Sequence, residues 1–287
     1  MTYPTFLGIG VPRGGSTWLH TWLSGHPQVY MPTRRKEIRF FDRHFENGFD
    51  WYSDFFCSPQ EADNYRAVGE ISPQYLYCEE CPDRIASSLP DARLIIMLRH
   101  PVDRAYSNYG FTVQRGNYRG TFEEFITSRP TTLEWGFYSR YAKRYLRHFD
   151  KSRILGLVFE DVFKNSHRTQ TRVADFLDIS PDQFPPDGFD RKVNPSSVPR
   201  FQSMSGYTVK AGRRLRRRRL EPLVDLARRL GIQRLIAKGS PLPRIDPVLR
   251  QELSLRYVDE FNELEECLDV DVTSWRSEAG KRVPGEG

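Results

Sequence analysis

Short apolar runs separated by longer stretches of helical periodicity set the outline of this chain. The runs Phe6 to Ile9, Ala67 to Ile71, Leu94 to Leu98 and Ile154 to Phe159 have the length and composition of strands. Between them, Ser16 to Ser24 places Trp18, Leu19, Trp22 and Leu23 on one side of a helix, with Gly25 and Pro27 as stop signals. Further helices are expected over Thr121 to Ser128, Tyr138 to Phe149, Asp161 to Leu177 and Pro247 to Leu268. Strands alternating with helices predict an α/β fold with a parallel sheet covered on both faces. Ligands of such folds bind beyond the carboxyl ends of the strands, where the turn after the first strand falls.

Composition adds bounds. With 287 residues, 38% of them hydrophobic, the chain can bury a substantial core, and we expect one domain over 1–287. No run of 18 apolar residues occurs, and Met1-Thr2-Tyr3-Pro4 leads straight into the first strand, so a soluble, unexported, cytoplasmic protein is expected. Of the four cysteines, Cys57, Cys78, Cys81 and Cys267, the pair Cys78-Glu79-Glu80-Cys81 has metal or redox spacing but no second pair to complete a site, and free thiols are expected. The net charge of +6 favours anionic partners. Its densest source is Arg213 to Arg219, inside an amphipathic basic insertion at about 200–236 that is either a solvated helix face or a peripheral contact with an anionic surface. A proline-rich stretch, Ser180 to Arg200, reads as a surface loop near the site.

The chemistry concentrates in Gly10-Val11-Pro12-Arg13-Gly14-Gly15-Ser16-Thr17-Trp18-Leu19, a strand, small-residue turn and helix start. Glycines let backbone close around an anion, and the helix's first N–H groups and dipole favour negative charge. A Mg-nucleotide loop carries lysine immediately before its Ser or Thr, and here Gly15 holds that position. The cation is Arg13 instead. A kinase-like phosphotransferase stays open as an alternative, with Glu160 or Asp161 as a magnesium-binding acid, and so does a non-catalytic binder of anionic polymers or membranes.

Arg13-Gly14-Gly15-Ser16-Thr17 resembles the 5'-phosphosulfate loop of sulfotransferases that use 3'-phosphoadenosine 5'-phosphosulfate (PAPS). Arg99-His100-Pro101-Val102-Asp103-Arg104-Ala105-Tyr106-Ser107, after the third apolar run, resembles the family's 3'-phosphate motif. Lys36-Glu37-Ile38-Arg39-Phe40-Phe41 is similar to the stretch of glycosaminoglycan sulfotransferases that carries their catalytic base, with Ile38 and Arg39 in place of Pro and His. Gly69-Glu70-Ile71-Ser72-Pro73-Gln74-Tyr75 looks like their acceptor-side segment. Trp135-Gly136-Phe137-Tyr138 precedes a helix as it does in those enzymes, and Lys238-Gly239-Ser240 resembles their cofactor-covering loop with Ser240 replacing arginine.

The resemblance implies a P-loop-like three-layer fold, a central parallel sheet flanked by helices. It implies PAPS as co-substrate, adenosine 3',5'-bisphosphate (PAP) as product, no metal, and in-line transfer to a hydroxyl or amine of a carbohydrate, lipid or small-molecule acceptor. Nucleic acid is not expected as a partner. By the same resemblance Glu37 is the base, with Arg13 stabilising charge on the departing phosphate. Arg13, Gly14, Gly15, Ser16, Thr17, Trp18, Arg99, Ser107, Tyr138, Lys238, Gly239 and Ser240 would bind the cofactor, and Lys36, Arg39, Glu70, Ser72 and Tyr75 the acceptor. Arginine cannot give up a proton at neutral pH, so the role of Arg13 is electrostatic.

Overall fold

A computed structural model describes residues 1–185, 188, 197–198 and 240–279. The basic segment from about 200 to 236, with Arg213 to Arg219, lies outside the described residues, as do Lys238 and Gly239. The described residues fall into two compact units: 1–104 with 135–185, 188 and 251–279, and 105–134 with 197–198 and 240–250.

The first unit is built on a five-stranded parallel sheet in the order β2-β3-β1-β4-β5, formed by β1 (Phe6–Gly10), β2 (Val29–Tyr30), β3 (Ala67–Ile71), β4 (Arg93–Leu98) and β5 (Ile154–Val158). The four apolar runs are its long strands. Only β2 was not anticipated, because two residues are too short for a pattern.

Side chains alternate across a strand, and the sheet shows both consequences. Phe6, Ile95, Met97, Leu155 and Leu157 join one core with Trp18, Leu19, Trp22 and Leu23 of helix α1 (Ser16–Ser24) and Val173, Ala174 and Leu177 of the Ser166–Leu177 helix. Leu94, Ile96 and Leu98 are equally buried outside that cluster. On their side Gly156 leaves room for Leu268 and Val270, at the end of the Val258–Leu268 helix. Burial on both faces is what an all-parallel sheet requires.

Three expectations change. The last helix is two, Pro247–Leu255 and Val258–Leu268, and Tyr257 at the break is fully buried against Gly136, where a Cβ would lie 2.6 Å from its ring. The helix expected from Asp161 is likewise a single turn, Phe159–Val162, followed by Ser166–Leu177. Cys78 and Cys81 are a disulfide rather than free thiols. Cys78 ends the Tyr75–Tyr77 turn and Cys81 opens the Cys81–Ser88 helix, which brings their Cα atoms to 5.4 Å, within bridging reach. Cys57 and Cys267 are free and buried.

The second unit contains the Phe122–Ser128 helix, started by a capping box in which Thr121 and Glu124 exchange hydrogen bonds, and the antiparallel pair β6 (Ser197–Val198) and β7 (Ser240–Pro241). Among the described residues no helix is long and apolar enough to cross a membrane.

The β1–β3 contact is tight enough to test. Phe6 faces Gly69 across the ladder, and its ring fills the space a Cβ on Gly69 would take. Gly69→Ala is expected to cost about 1–3 kcal/mol of stability by overpacking, read as a lower urea midpoint at unchanged slope.

Candidate functional site

The loop after β1 is fastened to β4. Val11 N–H donates to Met97 O at 2.9 Å and Gly14 N–H to Val11 O at 3.0 Å. Gly15, with φ of +108°, caps α1 in a conformation that disfavours any side chain. Neither glycine has space to spare, since a Cβ on Gly14 would lie 2.5 Å from Met97 O and one on Gly15 2.6 Å from the Phe159 ring. Leu19 N–H closes the first helical bond onto Gly15 O at 3.1 Å. The Ser16 and Thr17 amides precede that ladder and sit at the positive end of the helix dipole, a seat for an anion.

Arginines border the seat. The Arg13 carbonyl, on a residue with φ of +72°, accepts from Arg99 Nη1 at 3.3 Å. Arg99 stands at the end of β4 with its guanidinium 5.2 Å from the Phe159 ring centroid, and its own carbonyl accepts the Tyr138 hydroxyl at 2.8 Å. The following amide, of His100, donates to Glu160 Oε1 at 2.9 Å, while Glu160 Oε2 accepts the Trp275 indole at 3.2 Å. Burial raises the Glu160 carboxyl above its ordinary range. Tyr138 and Glu160 therefore orient the end of β4, and Tyr138, buried with no exposed surface, reaches the site only through Arg99.

The Lys36–Phe41 segment forms the facing wall. Ile38, Phe40 and Phe41 have no exposed surface; Phe40 stacks on Tyr52 at 4.2 Å and Phe41 meets Tyr75 edge-on at 5.6 Å. Below them lies Glu70 on β3. Its Oε1 accepts from Tyr75 at 2.7 Å and Tyr52 at 3.1 Å, and its Oε2 from Ser72 at 2.7 Å and the Ile38 amide at 3.4 Å. Ser72 Oγ in turn accepts the Arg39 amide at 3.0 Å. This network leaves Lys36 and Glu37 on the outer side, with 29% and 34% of their side-chain surface exposed. Lys36 Nζ donates to Thr17 Oγ1 at 2.7 Å and lies 3.6 Å from Glu37 Oε1.

The residues expected at the acceptor thus part company. Glu70, Ser72 and Tyr75 are buried and bonded to one another beneath the segment, out of an acceptor's reach, and Arg39 pairs with Asp42. Trp18, expected at the cofactor, turns its side chain into the core, stacks on Trp22 at 4.9 Å and donates to Gly188 O at 2.7 Å. Ser107 lies buried on the Pro101–Gln114 helix in the second unit, and Ser240 is in β7. Phe159, Tyr52 and Glu160 carry structural parts of the site that no motif singled out for those roles.

The model of the sulfotransferase domain family matches residues 4–215, about three quarters of the chain and all of the loop, the Lys36–Phe41 wall and Arg99. The chain belongs to this family. Among its relatives are the human bifunctional heparan sulfate N-deacetylase/N-sulfotransferase 2, 32% identical over 199 residues (62% of this chain, 22% of that protein). Human heparan sulfate glucosamine 3-O-sulfotransferase 3B1 is 31% identical over 185 residues (61% and 46%). The membrane-associated sulfotransferase kil1 of Dictyostelium discoideum is 35% identical over 111 residues (39% and 23%). The chain therefore spans less than half the length of each of these relatives. A sulfotransferase from Alicyclobacillus acidocaldarius has the same fold, with a TM-score of 0.68 at 23% identity over 96% of this chain and 100% of that one.

Glu70 gives the sulfotransferase domain a pH signature. Burial outweighs its four hydrogen bonds and raises its carboxyl, so the folded state holds this proton more tightly than the unfolded one. The contribution is complete below the unfolded value and lost as pH rises through the folded one. Denaturation at steps from about pH 4 to about pH 8 should show wild-type stability falling relative to Glu70→Gln across that interval, and a constant difference would contradict it.

Proposed function

We propose that the chain is a sulfotransferase enzyme that takes PAPS as co-substrate, releases PAP, and places the sulfuryl group on a hydroxyl or amine of a carbohydrate acceptor. The observation that carries the reading is the Lys36–Glu37 pair beside Thr17, at the mouth of a glycine loop that has no room for the lysine of Mg-nucleotide loops. The loop fits the 5'-phosphosulfate, since Gly14 and Gly15, with no room for a Cβ against Met97 O and the Phe159 ring, let the backbone turn tightly into α1, where the Ser16 and Thr17 amides supply donors. PAPS, when bound, supplies a sulfuryl group already joined to a phosphate leaving group.

The residues divide the remaining work. The Ser16 and Thr17 amides with Arg13 hold the phosphate end and offset the charge that grows there. Arg99, kept at the end of β4 by Tyr138, offers a guanidinium to the 3'-phosphate. Glu37, a partly exposed carboxylate held outward by the buried Ile38 beside it, accepts the acceptor's proton as its oxygen or nitrogen attacks sulfur. The names of the heparan sulfate relatives support a carbohydrate acceptor, and an acceptor panel of N-desulfated heparin, a simple phenol and a lipid alcohol tests it.

Against a kinase-like reading stands Glu160, whose two oxygens are engaged by the His100 amide and the Trp275 indole. Thermal-shift measurement should show stabilisation by PAP, about 2.7 kcal/mol at a hundredfold excess over Kd, and none by Mg-ATP; the reverse order would sink the proposal. Glu37→Gln is expected to lower turnover by about 10²–10⁴ while calorimetry finds PAP affinity unchanged, and near-normal turnover would remove Glu37 as the base.

A further inference from the structure

The glycine loop carries no lysine, and its Gly15 position cannot accommodate one. At Gly15, where phosphate loops carry it, the φ of +108° and the Phe159 ring, 2.6 Å from a Cβ, exclude any longer side chain. An ammonium is nevertheless present at the loop, delivered from another part of the chain. Lys36 Nζ hydrogen-bonds Thr17 Oγ1 at 2.7 Å, on the first turn of α1 whose amides form the anion seat, and stands 3.6 Å from Glu37 Oε1. Its backbone is not free to drift, because Ile38, two residues on, is fully buried and its amide bonds Glu70.

The surroundings suit an ammonium awaiting an anion. Burial and the charge of Arg13 lower the Lys36 pKa, and Glu37 alone opposes them. Burial and, after it, the charge of Lys36 hold the pKa of His20, on α1, below its ordinary value, so it adds no competing positive charge. A surface lysine would show none of this crowding.

We propose that Lys36 is a catalytic residue, the cation that hydrogen-bonds the oxygen between sulfur and the 5'-phosphate as that bond breaks, in place of a lysine at the Gly15 position. The inference rests on the sulfuryl-transfer reading and departs from the acceptor-binding role expected of Lys36. In the step, a bond forms between the acceptor's oxygen or nitrogen and sulfur, and the bond from sulfur to the bridging oxygen breaks with its electron pair passing to the 5'-phosphate. The acceptor's proton goes to Glu37, and Lys36 keeps its own. One dipeptide thereby serves both ends of the transfer.

The test compares wild type, Lys36→Met and Lys36→Arg, with PAP affinity from calorimetry and consumption of labelled PAPS measured with water and with N-desulfated heparin as acceptors. Loss of a hydrogen bond made to developing charge should lower turnover of Lys36→Met by about 10²–10³ with either acceptor, while PAP affinity changes by less than about fivefold. Lys36→Arg, which keeps the charge and donors, should recover at least about a tenth of the wild-type rate. Lys36→Met consuming PAPS with water within about threefold of wild type would overturn the proposal, because a lysine that only holds the acceptor is irrelevant to hydrolysis. A wild-type protein that fails to bind PAP would instead overturn the sulfuryl-transfer reading itself.

Discussion

A buried carboxylate determines where Lys36 and Glu37 stand. Glu70 sits on β3 with no exposed surface, and four donors converge on it, three side-chain hydroxyls and the Ile38 amide. Burying a charge without partners would cost several kcal/mol, so this network must be complete or absent. Being complete, it joins β3, the Tyr75–Tyr77 turn and the Gly48–Ser53 helix to the Lys36–Phe41 segment. Tyr75 also receives the Phe41 amide at 3.4 Å and gives its carbonyl to the Tyr145 hydroxyl at 2.7 Å, while Arg84 holds the Phe41 carbonyl at 2.7 Å. With Ile38, Phe40 and Phe41 committed inward and Arg39 paired with Asp42, Lys36 and Glu37 are left on the outer side, where Lys36 bonds Thr17 of the loop.

The other wall follows the same logic with backbone as the fixed part. Gly14 and Gly15 bring the chain so close to Met97 O and Phe159 that the loop's path is set by the end of β4 and the start of the Phe159–Val162 turn. Arg99 leans on Phe159, donates to the Arg13 carbonyl and is itself held through Tyr138. The glycine loop and Arg99, which follow neighbouring parallel strands, thus share supports, and a shift in one moves the other.

Much of this was legible in the sequence, and the rest was hidden for physical reasons. Four apolar runs became four strands because a strand buried on both faces must be apolar along its length. The loop was legible because the anion seat is local, contained in ten consecutive residues. Glu70 was legible only as part of a family-like segment, and its role as a buried acceptor is non-local, since Tyr52, Ser72, Tyr75 and Ile38 converge through space. The same holds for Tyr138, which lies 39 residues from the Arg99 carbonyl it binds. The Cys78–Cys81 bridge escaped because spacing alone does not say whether a turn and a helix start will bring two sulfurs together.

Placing the proposed cation on the wall opposite the glycine loop changes what sets its position. A cation within the loop is held by the same backbone that holds the phosphate, so its position depends on that loop alone. Lys36 instead takes its position from Glu70 through Ile38, while its ammonium reports on the loop through Thr17. The distance between the proposed base and cation is then fixed by their adjacency in sequence, and the distance of both from the first turn of α1 by one hydrogen-bonded network. In the proposed transfer Arg13, at positive φ and unable to lend a proton, is left to supply charge alone. On this arrangement the two walls are coupled: loosening the buried carboxylate would displace Glu37 and Lys36 together, without touching a single residue of the glycine loop.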